Sequence, residues 1–597
     1  MKSKILLFFA MLSFLMFNTS CDDKLDIPPL NILTSDQAFA SPSGVLAYLV
    51  SLYDVMPTDD HRFTAGDALI INSTDEALGL TWRGYTSIPD GTWTYLDWWG
   101  YSYVRNVNDF IAKMPTANVP DADKNTITGE AKFIRAFYYF GLAKRYGGVP
   151  IITEVQNFTG DNYAELQVPR NTEKEVWDFI AADLDEAIAL LPPTNTKGRA
   201  TKYAALALKS RAMLYAASIA KYGSVMLDGL CGIPASEANN YWQKAYDAAQ
   251  SIISSNAHSL YNSNPDKAAN FAELFLAKSN PEAIFTVSYQ YPTKTHGFDC
   301  WYLPFGYRSP QGYSSQMAPS LQMVEQYEYV DGTPGKLRLT NPDGSPIFYP
   351  KAPDLFKDKD PRCMGTVIVP YGTWRGNIVD IRAGIYDLGV KTEASEATAK
   401  YNPVTHQADN VNGTMYIVGL NGFGAGAAEK SFTGFYLRKY LNANLDNSRA
   451  TTTGSDQQYI VFRYAEVLLN AAEAAVELNK IPEAKLAVNL VRARAGIKLL
   501  DDAEVTLERV KHERLVELAL ENHRWWDYGR WRISDEVLTA YRDEALLPYY
   551  DIQADAYRFE TRVAGTFVKT FNIRAYYQRI LPSEISANPN LIQNPGY

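Results

Sequence analysis

Glu513, Glu517 and Glu521 recur at i, i+4 and i+8, a spacing that lines three carboxylates along one face of a helix. Carboxylate pairs set ~5–10 Å apart carry out glycoside hydrolysis, one as acid and the other as nucleophile or base. Arg514, Arg524 and Arg530 crowd the same segment, however. An arginine partner lowers a carboxyl pKa and makes it a poor general acid. The three glutamates therefore read as a structural ion-pair network. His512-Glu513 opens like the zinc-protease motif HExxH, but Val516 stands where the second histidine belongs. Six histidines are few for metal or acid–base work, and neither a GxSxG elbow nor a Walker P-loop occurs. The glycine run 422–426 lacks the strand and helix of a dinucleotide-binding turn and reads as a loop. Cys231, Cys300 and Cys363 are too widely spaced for a zinc site or a disulfide framework and read as buried thiols. The chain is thus expected not to be an enzyme, and no cofactor or metal is expected.

Binding chemistry is better represented. The 597 residues include 11 Trp, 40 Tyr and 26 Phe, and 13% of the chain is aromatic. A sugar offers CH-rich faces and a hydroxyl rim. Its binder needs flat aromatics for stacking and Asp, Asn, Arg or Gln for paired hydrogen bonds. Trp177, Trp242, Trp525, Trp526 and Trp531 fall on or beside predicted helices and read as core. Trp93, Trp98 and Trp99 lead into a helix that runs to Met114. Trp82, Trp301 and Trp374 stand in loops beside Arg83, Tyr302 and Arg375. Asp75-Glu76, in the loop near Trp82, fits polar contacts to a sugar as well as catalysis. The formal charge of −10 argues against a nucleic-acid partner, which requires a basic surface to displace phosphate counterions.

These residues must be held by a scaffold, and its signals are helical. Phe133, Ala136, Phe137 and Phe140 lie at i, i+3, i+4 and i+7, and Gly147-Gly148 with Pro150 end that helix. A second helix spans 174–191, with Thr172 and Glu175 as a capping box. Further helices are predicted over 202–222, 241–255, 482–495 and 505–527. Ala465, Leu468, Leu469 and Ala472 repeat the apolar spacing. Helices of ~15–20 residues with short turns predict degenerate helix hairpins of tetratricopeptide type, and hence a mainly α fold. Residues 260–455 change character: Gly, Pro, Asn, Asp and Tyr are frequent, and the pattern predicts long loops with short strands such as Ala283–Ser288 and Thr366–Val369. Loops this long in a compact protein are usually functional or disordered, and their many Trp and Tyr argue for ordered and functional ones.

The N-terminus reads as an address. Lys2 and Lys4 precede an apolar run from Ile5 to Phe17, the length of a signal peptide and too short to span a bilayer. Cys21 follows and resembles the lipidated cysteine of a bacterial lipobox, although Asn18 stands where Leu is usual. Asp22-Asp23 resembles the acidic export signal of surface lipoproteins in Bacteroidetes. Removing residues 1–20 takes away two lysines and no acids, which turns −10 into −12.

Several segments together resemble the SusD/RagB family of outer-membrane lipoproteins. RAFYYFGLAKRYGGVP (135–150), YIVFRYAEVLLNAAE (459–473) and ERLVELALENHRWWDYGRW (513–531) resemble its signature helices. PSLQMVEQYEYVDGTP (319–334), Asp360-Pro361-Arg362, Thr433-Gly434, Arg438-Lys439-Tyr440 and the terminal NPNLIQNPGY follow in family order. The resemblance covers essentially the whole chain. It implies a signal peptide over 1–20, an N-terminal portion over 21–230 and a C-terminal portion over 231–597, joined in one fold. It implies a non-catalytic, surface-exposed glycan-binding lipoprotein, anchored to the outer membrane through Cys21. Such a protein lids a SusC-like TonB-dependent transporter. Ligand contacts are then expected from an early loop and the irregular middle region: Trp82, Arg83, Trp301, Tyr302, Trp374 and Arg375, with Asp75 and Tyr313 beside them. The signature residues Arg135, Arg463, Glu466, Glu513, Arg524 and Asp527 are expected to fix helix register. Peptide cargo, as in the RagB branch, and a surface glycosidase are the alternatives.

Overall fold

A computed structural model describes residues 35–59, 70–79, 96–422, 430–565 and 568–597. The signal peptide, Cys21, Trp82, Arg83, Trp93 and most of the 422–426 glycine run lie outside the described residues. The scaffold is mainly helical. Its principal helices are α1 (Pro42–Asp54), α2 (Tyr101–Lys113), α3 (Asp121–Tyr146), α4 (Glu173–Leu190), α5 (Lys202–Tyr222), α6 (Ala238–Ser255), α7 (Tyr464–Glu477), α8 (Ile481–Ala495), α9 (Leu507–Glu517) and α10 (Arg524–Trp531). Successive helices pack as neighbours from α2 to α8, the arrangement of stacked helix hairpins.

Local signals explain most of these elements. The apolar stripe of Phe133, Ala136, Phe137 and Phe140 is buried on α3. The helix ends where Gly147 turns to φ 74°. At the start of α4 the Thr172 hydroxyl accepts from the Glu175 amide (3.2 Å), and the Glu175 carboxylate accepts from the Thr172 amide (2.8 Å). That reciprocal pair is the capping box read from the sequence. Trp177, Trp242, Trp525, Trp526 and Trp531 are all buried in one core that runs from Phe39 to Leu591.

One predicted helix is broken. The span 505–527 divides into α9 and α10, with Leu520 (φ 61°) and Asn522 (φ 66°) in the left-handed region between them. A leucine there costs about 1–2 kcal/mol. Tertiary contacts offset it: the Leu520 amide donates to Glu76 (2.7 Å), and the break turns Glu521 onto Lys439 and Arg463.

The strands are short. Those used below are β1 (Ala77–Gly79), β2 (Ala283–Val287), β3 (Met317–Pro319), β4 (Thr373–Trp374), β5 (Asn377–Ile378), β6 (Gly384–Asp387), β7 (Val390–Glu393), β8 (Tyr459–Arg463), β9 (Glu544–Asp551) and β10 (Ala556–Val563). β8 pairs with β2 and delivers Arg463 to the start of α7. Four strands form a sheet in the order β10-β9-β6-β7, with β9 and β6 parallel. β1 pairs antiparallel with β3, Gly79 opposite Met317, which ties residues 77–79 to the middle region.

Candidate functional site

The carboxylates that invited a catalytic reading are all paired and buried. Glu513 receives Arg362 (2.6 Å) and Arg492 (2.7 Å). Glu517 receives Arg362 (2.8 Å), Arg463 (2.5 Å) and Arg494. Glu521 receives Arg463 (2.8 Å) and Lys439 (2.9 Å). Burial alone would raise the Glu517 carboxyl, but Arg494, Arg463 and Arg362 hold it well below the usual carboxylate range. Glu513 is lowered in the same way by Arg362 and Arg492. The arginines are not the near-sequence ones: Arg514 and Arg530 pair with Asp527 (both 2.8 Å), and Arg524 with Asp75 (3.0 Å). Arg135 bonds Asp183 through two nitrogens (2.6 and 2.7 Å), and Glu466 bonds Arg211 likewise (both 2.6 Å). Every signature residue is thus paired with another segment, and Arg524 takes its carboxylate, Asp75, from a loop.

The loops of the middle region gather around another buried acid. Asp299 accepts from the Asn442 amide (2.8 Å), the Ser455 hydroxyl (2.8 Å) and the Gln457 side chain (2.9 Å). Burial pushes its pKa up against these three hydrogen bonds. The helical turn Phe298–Tyr302 that carries Asp299 also carries Trp301. The Trp301 ring lies 4.3 Å from that of Tyr313. A Cβ at Gly297 would come within 2.7 Å of the Trp301 indole nitrogen and 2.9 Å of the Thr452 carbonyl, so only glycine admits this packing. The Thr452 amide donates to Gln311 (2.9 Å), the Tyr307 hydroxyl to the Trp374 carbonyl (2.9 Å), and Arg375 to the Leu445 carbonyl (2.7 Å). Segments 296–316, 371–379 and 442–457 are therefore one assembly.

Within it, Trp301, Tyr302, Tyr313, Trp374 and Arg375 come together, but they are unequally open to solvent. Trp301 is 5% exposed, Trp374 3% and Tyr302 2%. Tyr313 and Arg375 are half-buried. Asp75 lies apart, buried under Arg524 and the Tyr528 hydroxyl (both 3.0 Å). The more open aromatic surface belongs to Phe305, Tyr307 and Tyr291, accompanied by two arginines. Arg308 sits 5.6 Å from the Phe305 ring centre, and Arg449 lies 4.0 Å over Tyr291. These residues escape the tryptophan-based reading. The run Pro304-Phe305-Gly306-Tyr307-Arg308, aromatics with an arginine in a loop, is the signal that marks them.

Comparison with known proteins agrees with this architecture. The model of the SusD family matches residues 281–597, more than half of the chain. The chain belongs to the SusD family. A second family, described as starch-binding and associating with the outer membrane, matches residues 54–214 of this SusD family protein. SusD-like protein P38 of Formosa agariphila is 24% identical over 549 residues, covering 87% of this chain and 90% of the relative. A SusD-like carbohydrate binding protein of Bacteroides fragilis superposes with TM-score 0.66 at 22% identity, over 93% of this chain and 100% of that one. A laminarin binding SusD-like protein superposes with TM-score 0.53 at 19% identity, over 94% and 100%. Among the described residues, no helix is long and apolar enough to cross a membrane.

Proposed function

We propose that this SusD family protein binds a neutral glycan on the loop assembly built around Asp299 and delivers it to a SusC-like TonB-dependent transporter, without catalysing a reaction on it. The observation that carries this reading is the grouping of Phe305, Tyr307, Tyr313 and Tyr291 with Arg308, Arg375 and Arg449 on one scaffolded set of loops. Flat apolar faces beside guanidinium donors match a sugar's CH faces and hydroxyl rim. Trp301 and Trp374 act as the packed floor beneath them. Trp82 and Arg83, which lie outside the described residues, are proposed as further contacts from the early loop. The SusD-like structures described as carbohydrate binding and laminarin binding support a glycan ligand. The −10 charge disfavours a heavily sulfated or uronic one.

The test is native affinity electrophoresis and calorimetry with a polysaccharide panel that includes starch and laminarin. One polysaccharide is expected to retard the protein. Tyr307→Ala is expected to weaken its binding by about tenfold, the equivalent of ~1.4 kcal/mol, without a change in melting. Failure of every glycan to bind would move the reading to peptide cargo. Lipidation at Cys21 would place the protein on the outer face of the outer membrane. Cys21→Ala is expected to shift the protein from the detergent-requiring membrane fraction to the soluble fraction. A variant that stays with the membrane refutes the lipobox assignment.

A further inference from the structure

A cleft of about 280 Å³ opens where the start of α2, the 150–168 segment and residues 584–591 meet. None of its lining residues belongs to the loop assembly around Asp299. We infer that this cleft is a second carbohydrate subsite, formed by Trp99, Tyr101, Arg105, Gln156, Glu584 and Asn588. The inference rests on the reading of the protein as a glycan binder and extends it to a different surface.

The aromatic side is well held. Trp99 packs edge-on to Tyr146 (5.1 Å) and against Tyr101 (5.2 Å), and the Tyr101 hydroxyl donates to the Pro150 carbonyl (2.6 Å). The facing wall is tied down independently. Tyr163 and Gln167 both donate to the Ala587 carbonyl (2.8 and 2.9 Å), and Asn588 donates to the Val168 carbonyl (2.8 Å). Two segments some 400 residues apart in sequence thus form a pre-shaped opening.

The polar groups decide the ligand class. Glu154 and Glu584 also line the cleft, and their carboxylates make no hydrogen bond among the described residues. Arg105 is held by a single bond, to Asn157 (3.2 Å). An anionic ligand would face two carboxylates and one guanidinium, so the balance is wrong for it. A wholly apolar ligand would leave the carboxylates and the guanidinium desolvated and unpaired. Half-exposed rings rimmed by unspent planar acceptors and donors suit a neutral sugar, whose hydroxyls donate to Glu584 and accept from Arg105.

Binding stoichiometry tests this directly, by native mass spectrometry and calorimetry of the chain with maltoheptaose and with laminarihexaose. The expected result is two molecules of one of them per chain. Arg105→Ala with Glu584→Gln, both outside the packed core, is expected to leave one at unchanged melting. Ala587→Trp, which fills the cleft, is expected to do the same. Tyr307→Ala with Arg308→Ala should remove the other molecule. One ligand per chain, unaffected by the cleft variants, overturns the second subsite and leaves the loop site standing. One ligand lost in the cleft variants but kept in Tyr307→Ala supports the cleft and overturns the loop reading. A chain that binds neither oligosaccharide overturns both.

Discussion

Replacing Arg463 with Met is expected to lower the unfolding free energy by about 3–5 kcal/mol, the cost of removing one partner from a buried ion pair. Arg463 is buried at the junction of β8 and α7. It reaches Glu282 (2.8 Å), Glu517 (2.5 Å) and both oxygens of Glu521 (2.8 Å), and it caps the Glu517 carbonyl (2.8 Å). Methionine fills much of the volume but leaves three carboxylates short of a cation where water does not reach. Urea denaturation measures the loss, and a change below about 1 kcal/mol would show that Lys439, Arg362 and Arg494 carry the network without it. The same geometry sets an acid limit. The folded-state pKa of Glu517 lies well below its ordinary 4.5. The stabilisation it contributes is therefore complete above about pH 4.5 and is lost as the pH falls toward the folded value. Arg463→Met, which removes one of the cations that depress Glu517, is expected to flatten the fall in stability below pH 4.5.

Asp299→Leu is expected to abolish glycan binding while the helical scaffold stays folded. The substitution strands the half-buried Asn442 amide and the buried Ser455 hydroxyl and Gln457 side chain, and a buried donor costs about 1–3 kcal/mol when unpaired. Those donors lie on the 442–457 segment, and Asp299 adjoins Trp301, so the damage falls on the assembly that carries the proposed site. Limited proteolysis should cut first within 440–457, and glycan retardation should vanish. Asp299→Asn keeps the shape but turns one acceptor into a donor, so an intermediate loss is expected. Unchanged binding and unchanged protection in Asp299→Leu would separate the glycan site from these loops.

The sequence by itself determined the helical scaffold and its family. α3 and α4 were legible because an apolar stripe at i, i+3, i+4, i+7, a stop at Gly147 and a Thr172–Glu175 capping box are all local signals, complete within one segment. The structural role of the signature arginines and glutamates was legible too, since such charges cannot enter a core unpaired. Tertiary structure alone decided which partners they take. It also decided that the helix predicted over 505–527 breaks, because the acceptor of the Leu520 amide, Glu76, lies 444 residues away. Exposure in the loops was equally non-local. Trp301 and Trp374 share the sequence character of the more open Phe305 and Tyr307, yet Tyr313, Thr452 and Gly297 wall in Trp301. A helix is specified by residues within a few positions of one another. The solvent exposure of a loop side chain is specified by chain that arrives from elsewhere, and so is a cleft shared by residues 99–105 and 584–591.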